Sequence, residues 1–568
     1  MTSPMGGALL ALTALLATLL VVGYLTRSRA TSDFSVAVRP VSSRSAAAAV
    51  CGEFLSAVLF LGSSGIVLAS GVRGAWFFSG IALGYVLLAT LVIAPLRRSG
   101  AYSPSDFAEW RLGSRVARRI VTASVVLASV LYLLVQYVAA GMLTRELTHV
   151  PEWGAWGALL VLTLSVVLGS AGGSSTGFQA LHFWFKLVAI GLPALVLAGV
   201  WWGHGGDTGT MSGPPVFHES MGVDIDQGQH VVVSESTLVR VEGRINGVAY
   251  TGEDGAVVLE PGMYEVEGGT RMSFAEGAPV PHRSFLPVLD TGEWNGVHMG
   301  PFTWDGYSIY LALVLGVIGL PQFVARFYGT TGPRSARRTL ILVLALLSVF
   351  SVAPILLGGL GRVHTPDLLV TGRLDLLPLE LPKRLLPGST GMVLTALLAA
   401  GAAAAVVTAS VALTSAVAGM IAQCAGAGDR RAFWGGAVLA LGLPLALIAL
   451  VPEVTELGLN VLALVAFQVS AVTVAPLLLL GIWWRGLTDV GAASGVLFGM
   501  AGTALCVSAG ALGWTTDVEG GAVALAPTLF LFPLTLAVMV TVSWCTRHRV
   551  PADVDEKLAR MHLPGHAS

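Results

Sequence analysis

The feature that most constrains this chain is a succession of long apolar blocks separated by short polar ones. A helix needs about 20 predominantly apolar residues to cross the hydrocarbon core of a bilayer. Blocks of that length lie near 5–25, 46–70, 75–96, 120–144, 154–170, 180–202 and 306–326, and again near 339–361, 389–423, 433–451, 457–483, 489–512 and 525–545. The same length rule predicts about thirteen transmembrane helices. Of the 568 residues, 54% are hydrophobic and 11% charged. Soluble domains carry about 25% charged residues, so an ordinary globular core is excluded.

Charge adds further exclusions. Lys and Arg (32) nearly balance Asp and Glu (33), so neither a nucleic-acid partner nor an acidic solvating tail is indicated. Cys51, Cys424, Cys506 and Cys545 fall in or beside apolar runs with no CxxC spacing. They read as small buried hydrophobes rather than a disulfide framework or a zinc site. No Lys or Arg precedes the run from Met5 to Tyr24, which is too long for the core of a cleavable signal and reads as a first span.

Arginines alternate between the two sides of the predicted bundle. One side collects Arg27, Arg29, Arg39 and Arg44, then Arg97, Arg98, Arg111, Arg115, Arg118 and Arg119, then Arg334, Arg337 and Arg338, and finally Arg430, Arg431, Arg485, Arg547, Arg549 and Lys557. Because positive loops stay cytoplasmic, the N-terminus is expected outside and the C-terminus in the cytoplasm of a multi-pass cell-membrane protein. The polar stretch 203–300 then lies outside. Within it His230–Arg244 and Val248–Val266 alternate apolar and polar residues, with Asn246–Gly247 and Asp254–Gly255 at turn positions. That pattern predicts a small β-rich insert, either a passive elaboration or a lid or partner site.

No G-x-x-x-x-G-K-[ST] motif occurs and the tail after Arg547 is short, so ATP-driven transport by this chain alone is disfavoured. His182 and His204 lack ligand-like spacing, and no nucleophile–base set converges on one depth, so an enzyme is not expected. A secondary transporter is. Such carriers bind near the midplane, where broken helices expose carbonyls and helix ends. The second span holds Gly52, Glu53, Phe54, Leu55 and Ser56, and a carboxylate inside an apolar span marks a functional site unless it snorkels or pairs structurally. The seventh span holds Gly316, Gly319, Pro321 and Gln322; proline and glycine there free carbonyls or merely kink the helix. In the ninth, Thr408, Ser410, Thr414 and Ser415 follow a run of small residues. Hydroxyls suit a hard cation such as sodium, although in helices they often bond their own backbone. No Arg or Lys reads as deep enough in a core span to pair with a substrate carboxylate, so a bound cation or a helix N-terminus would serve.

Several ordered stretches carry a family resemblance. They include Gly52-Glu53-Phe54-Leu55-Ser56, Pro95-Leu96-Arg97-Arg98-Ser99-Gly100-Ala101-Tyr102, Ser105-Asp106-Phe107 with Arg111-Leu112-Gly113-Ser114-Arg115, and Gln136-Tyr137-Val138-Ala139-Ala140-Gly141. Further on come Thr176-Gly177-Phe178-Gln179, Gly319-Leu320-Pro321 and Trp483-Trp484-Arg485-Gly486-Leu487-Thr488. Together they resemble the sodium:solute symporter family, and within it the cation/acetate permease branch. The resemblance implies an all-α membrane protein with a leucine-transporter-like core of two inverted five-helix repeats, 46–202 and 301–485. Residues 1–45 would form the first helix and a cytoplasmic loop, 203–300 the insert, and 486–568 two accessory helices and a tail.

It also implies a cation held by the carbonyls of Gly52 and Leu55 and by hydroxyls at Thr408 and Ser410. Glu53 would tune or carry the coupling charge, and Phe54 and Ser56 would face substrate opposite Gly316, Gly319, Pro321 and Gln322. Relatives often carry a Ser-Thr pair where this chain reads Val406-Val407-Thr408-Ala409-Ser410, which thins the sodium ligands and admits proton coupling through Glu53. The expected function is import of a small monocarboxylate such as acetate, coupled to sodium or protons, with no cofactor besides sodium as co-substrate. Alternatives are symport of an amino acid or quaternary amine, and a non-transporting sensor on the same fold.

Overall fold

The computed structural model describes residues 42–101, 103–148, 150–169, 176–206, 214–250, 255–283, 304–321, 333–425, 429–511 and 527–563. The predicted first span, 5–25, lies outside these residues, as does Gln322. Among the described residues ten helices are long and apolar enough to cross a membrane, and a bent pair makes an eleventh.

The bent pair is α1 (Ser43–Phe54) and α2 (Val58–Ser70), which meet at 80° and together fill the predicted second span. Helices α3 (Arg73–Ser99), α5 (Arg115–Thr148), α6 (Glu152–Gly169) and α7 (Thr176–Gly203) complete the first half, with the short α4 (Pro104–Leu112) between α3 and α5. Helix α8 (Trp304–Gly319) opens the second half and stops ahead of Leu320 and Pro321, since proline cannot donate to a continuing helix. Then follow α9 (Pro333–His364), the short α10 (Leu377–Leu385), α11 (Ser389–Ala425), α12 (Arg430–Leu450) and α13 (Leu459–Trp483). Helices α14 (Asp489–Ala511) and α15 (Thr528–Cys545) close the chain's series of long apolar helices.

Burial separates core from periphery. In the most apolar window of α13, 94% of residues are buried inside the protein, and in those of α5 and α11 72%; in α6 and α15 the figure is 22%. The first three therefore form the centre, while α6 and α15 offer most of their apolar surface to lipid. The Ser105–Arg115 motif has a structural purpose. Its Arg111 guanidinium is buried and donates to the Gly481 and Trp484 carbonyls, satisfying the end of α13, where helix carbonyls lack intrahelical partners.

The predicted insert is a β structure of eight antiparallel strands, β1 (Met221–Ile225), β2 (Gln229–Val233), β3 (Thr237–Ile245), β4 (Val248–Tyr250), β5 (Ala256–Leu259), β6 (Gly262–Val266), β7 (Thr270–Phe274) and β8 (His282–Arg283). The order is β1-β7-β3-β6-β2-β8, with β4 and β5 also on β3. Asn246 and Gly247 take φ of +52° and +76° between β3 and β4, the double positive φ of a two-residue hairpin turn. The insert rests on the bundle through the Gln229 amide, which donates to the Val370 carbonyl at 2.8 Å.

Beside that contact, a cavity of about 570 Å³ separates insert from bundle, and Asp375 lies in its wall. The Asp375 carboxylate accepts from the Leu459 N–H at 2.9 Å, capping α13, while Asn460 donates to the Gly62 carbonyl of α2 at 3.0 Å. Burial raises the Asp375 carboxyl to about 6, against the pull of the Leu459 N–H. A carboxyl raised in the fold stabilises it fully below its unfolded value, 3.8, and loses that contribution as pH rises through about 6. Relative to Asp375→Asn, which keeps an acceptor without a titration, the wild type is expected to lose about 2 kcal/mol between pH 4 and 6. Thermal unfolding of both proteins across that range checks this; parallel curves would contradict it.

Candidate solute and cation site

The site grows from the break between α1 and α2. At Leu55 the backbone leaves the helix (φ −70°, ψ 76°), and the Ser56 N–H turns back to the Phe54 carbonyl at 2.7 Å. An unsatisfied amide in an apolar interior costs several kcal/mol, so neighbouring helices must supply partners. From α5, Gln136 Oε1 accepts from the Ala57 N–H at 3.3 Å, and the Tyr132 hydroxyl bonds Ser56 Oγ at 2.7 Å.

The carbonyls on the other side of the break are taken by an amine. Lys186 Nζ donates to Gly52 O at 2.6 Å, to Leu55 O at 2.8 Å and to Thr408 Oγ1 at 2.9 Å. Lys186 is fully buried on α7, which corrects the expectation that no Lys or Arg lies deep in a core span. The apolar block that contains it begins at 180, so Lys186 reads in sequence as an end residue able to snorkel. In the fold, α7 starts four residues earlier and its face toward α1 and α11 is enclosed. The Thr408 hydroxyl itself donates to Ala404 O at 2.7 Å, which leaves its lone pair for the amine. Gln179, one α7 turn-pair before Lys186, donates to the Thr408 carbonyl at 3.2 Å.

Of the residues singled out in sequence, Gly52, Leu55 and Thr408 meet at this point. Ser410 does not join them: its hydroxyl donates to Val406 O at 2.8 Å, and two residues along a helix turn a side chain roughly 200° away. Glu53 is 5% exposed in the last turn of α1. Phe54 is buried against the Tyr85 ring, centroids 5.4 Å apart and edge-on. Gly316 and Gly319 let α8 lie directly on α13, since a Cβ at either would fall within 2.6 Å of Phe467 O or 2.5 Å of Ser470 Oγ. Ser470 Oγ also donates to Gly316 O at 2.8 Å. Pro321 lies two residues past the end of α8 and is buried. Between α3, α8 and α13 a narrow apolar cleft of about 50 Å³ reaches Phe467. The Phe467 ring meets Tyr132 edge-on at 5.7 Å, so aromatics scattered along the sequence converge between this cleft and the break.

The profile of the sodium:solute symporter family matches residues 34–179 and 288–499. The chain belongs to this family. The unmatched interval, 180–287, contains the insert and also Lys186. Over 512 residues the chain is 23% identical to the uncharacterised symporter YwcA of Bacillus subtilis, covering 88% of this chain and 84% of the relative. Over 468 residues it is 23% identical to a monocarboxylic acid transporter of Corynebacterium glutamicum, covering 81% and 75%. A substrate-bound, outward-open Na+-coupled sialic acid symporter superposes with a TM-score of 0.58 at 11% identity, covering 95% of this chain and 98% of that one. The fold is therefore the leucine-transporter-like symporter fold, and the protein is a multi-pass membrane transporter for a solute, not an enzyme.

Proposed function

We propose that this symporter imports a small monocarboxylate, such as acetate, propionate or pyruvate, by cation-coupled alternating access. The observation that carries the reading is the Lys186 ammonium seated at the helix break beside Phe54. A buried positive centre attracts an organic anion and repels a cationic solute entering a low-dielectric site. The Corynebacterium relative's name supports the same class. Phe54 and Tyr85 would pack the short alkyl part of the solute, and Ser56 would face its polar end. The converging aromatics favour a second reading, a quaternary amine held over ring faces. The topology proposed here puts the insert outside and the C-terminus in the cytoplasm.

Proteoliposomes containing the full chain separate the readings. Saturable uptake of labelled acetate, propionate or pyruvate, competed by the other two but not by choline or betaine, is expected under an imposed cation gradient. Uptake of betaine with none of the three acids would replace the monocarboxylate reading by the quaternary-amine one.

A further inference from the structure

We infer that the Lys186 ammonium is a built-in occupant of the position where the family resemblance places sodium, so that sodium does not bind there. The inference rests on the family membership and the site geometry, not on which solute is carried.

The donor count is the first support. An ammonium has three N–H donors, and three acceptors meet Lys186 Nζ at 2.6, 2.8 and 2.9 Å. Two of them are main-chain carbonyls at the break of α1, and the third is a hydroxyl of α11. These are three of the four oxygens that the resemblance assigns to the cation, each satisfied by one donor. A sodium ion would need the same oxygens at shorter range and would stand beside the amine as a like charge in an enclosed, low-dielectric place. The residues present therefore do not fit sodium and lysine together.

Ligand number points the same way. Hard cations gather about six oxygens, whereas the described residues bring two carbonyls and one hydroxyl to Lys186 Nζ. Ser410 is turned to Val406, and the positions before and after Thr408 are Val407 and Ala409. Three oxygens match the three donors of an ammonium, whereas a metal ion there would have to complete its shell with water, for which the buried amine leaves no room. Burial is the third support, because Lys186 is 0% exposed. A lysine head group placed so deep in an apolar bundle is held by specific partners rather than by water. Finally, Lys186 falls in the interval where the family profile does not match this chain, while the carbonyl-bearing residues of α1 fall inside the matched part.

The test uses no solute, so its outcome is distinct from that of the uptake experiment. Thermal unfolding of the purified full chain in nanodiscs is followed by intrinsic fluorescence in sodium chloride and in choline chloride of equal ionic strength. The wild type is expected to show the same Tm in both salts. Lys186→Ala vacates the oxygens; its Tm is expected to fall in choline and recover by several degrees in sodium, saturating in the millimolar range. Adding Thr408→Ala to that variant is expected to remove the recovery. A saturable, sodium-specific Tm rise in the wild type would overturn the inference, and so would a folded Lys186→Ala protein indifferent to sodium. Should Lys186→Ala fail to fold, the wild-type comparison alone decides.

Discussion

Gly52→Ala is expected to lower solute uptake at least tenfold and to destabilise the protein by about 1–3 kcal/mol, the usual penalty for overpacking a close-packed interior. The addition is a single methyl group, yet it has nowhere to go. A Cβ at Gly52 would stand 2.2 Å from the Gln179 carbonyl oxygen and 2.9 Å from its carbon. Both atoms are backbone of α7, so no rotamer relieves the overlap, and α1 and α7 must move apart by about an ångström for ordinary van der Waals contact. The displacement acts on the Lys186–Gly52 bond, which spans the same two helices at 2.6 Å. A control separates this from a generic effect of losing glycine. Gly191 lies on α7 too, five residues past Lys186, and a Cβ there meets nothing within 4 Å. Gly191→Ala is expected to keep uptake and to gain slightly in helix stability. If Gly52→Ala transports like Gly191→Ala, the close approach of α1 and α7 is not as described.

That pair of glycines shows how unevenly the sequence reports the fold. The spans are legible because a length of apolar residues is a local property, and their ends agree within a few residues for α3 (Arg73–Ser99) and α13 (Leu459–Trp483). The Asn246–Gly247 hairpin is legible because positive φ at two successive residues has few chemical solutions. The break in α1 announces itself through Gly52 and Glu53, but its position three residues on depends on Gln136, which is distant in sequence. Lys186 is the clearest failure. Its depth is set by partners 134, 131 and 222 residues away, and one-dimensional distance from a block's edge cannot stand for depth in a bundle. The Asp375 cap on α13 is invisible for the same reason, joining residues 84 apart.

Lys186→Met should be more damaging than Lys186→Ala, reversing the order that side-chain volume alone would give. Methionine nearly preserves the aliphatic stem of lysine, so it leaves little cavity and admits little water. It also leaves the Gly52 and Leu55 carbonyls and the Thr408 lone pair facing a thioether, which accepts only weakly and donates nothing. Leaving a buried acceptor unmatched costs about 1–3 kcal/mol each, and the three oxygens lose their donor together. Alanine removes the same bonds but opens a space lined by those oxygens, into which water or a cation can settle. In sodium chloride the order of Tm is therefore expected to be wild type, then Lys186→Ala, then Lys186→Met, with methionine insensitive to the choice of salt. Uptake should fall at least a hundredfold in Lys186→Met, and Lys186→Ala should retain more, with sodium increasing what remains. If methionine and alanine lose the same stability and the same transport in both salts, the three bonds to the amine are not what holds α1, α7 and α11 together at the break. If methionine is tolerated, the oxygens find their partners within their own helices and the amine is incidental. The comparison thus weighs the hydrogen bonds of Lys186 against its bulk, which neither substitution could do alone.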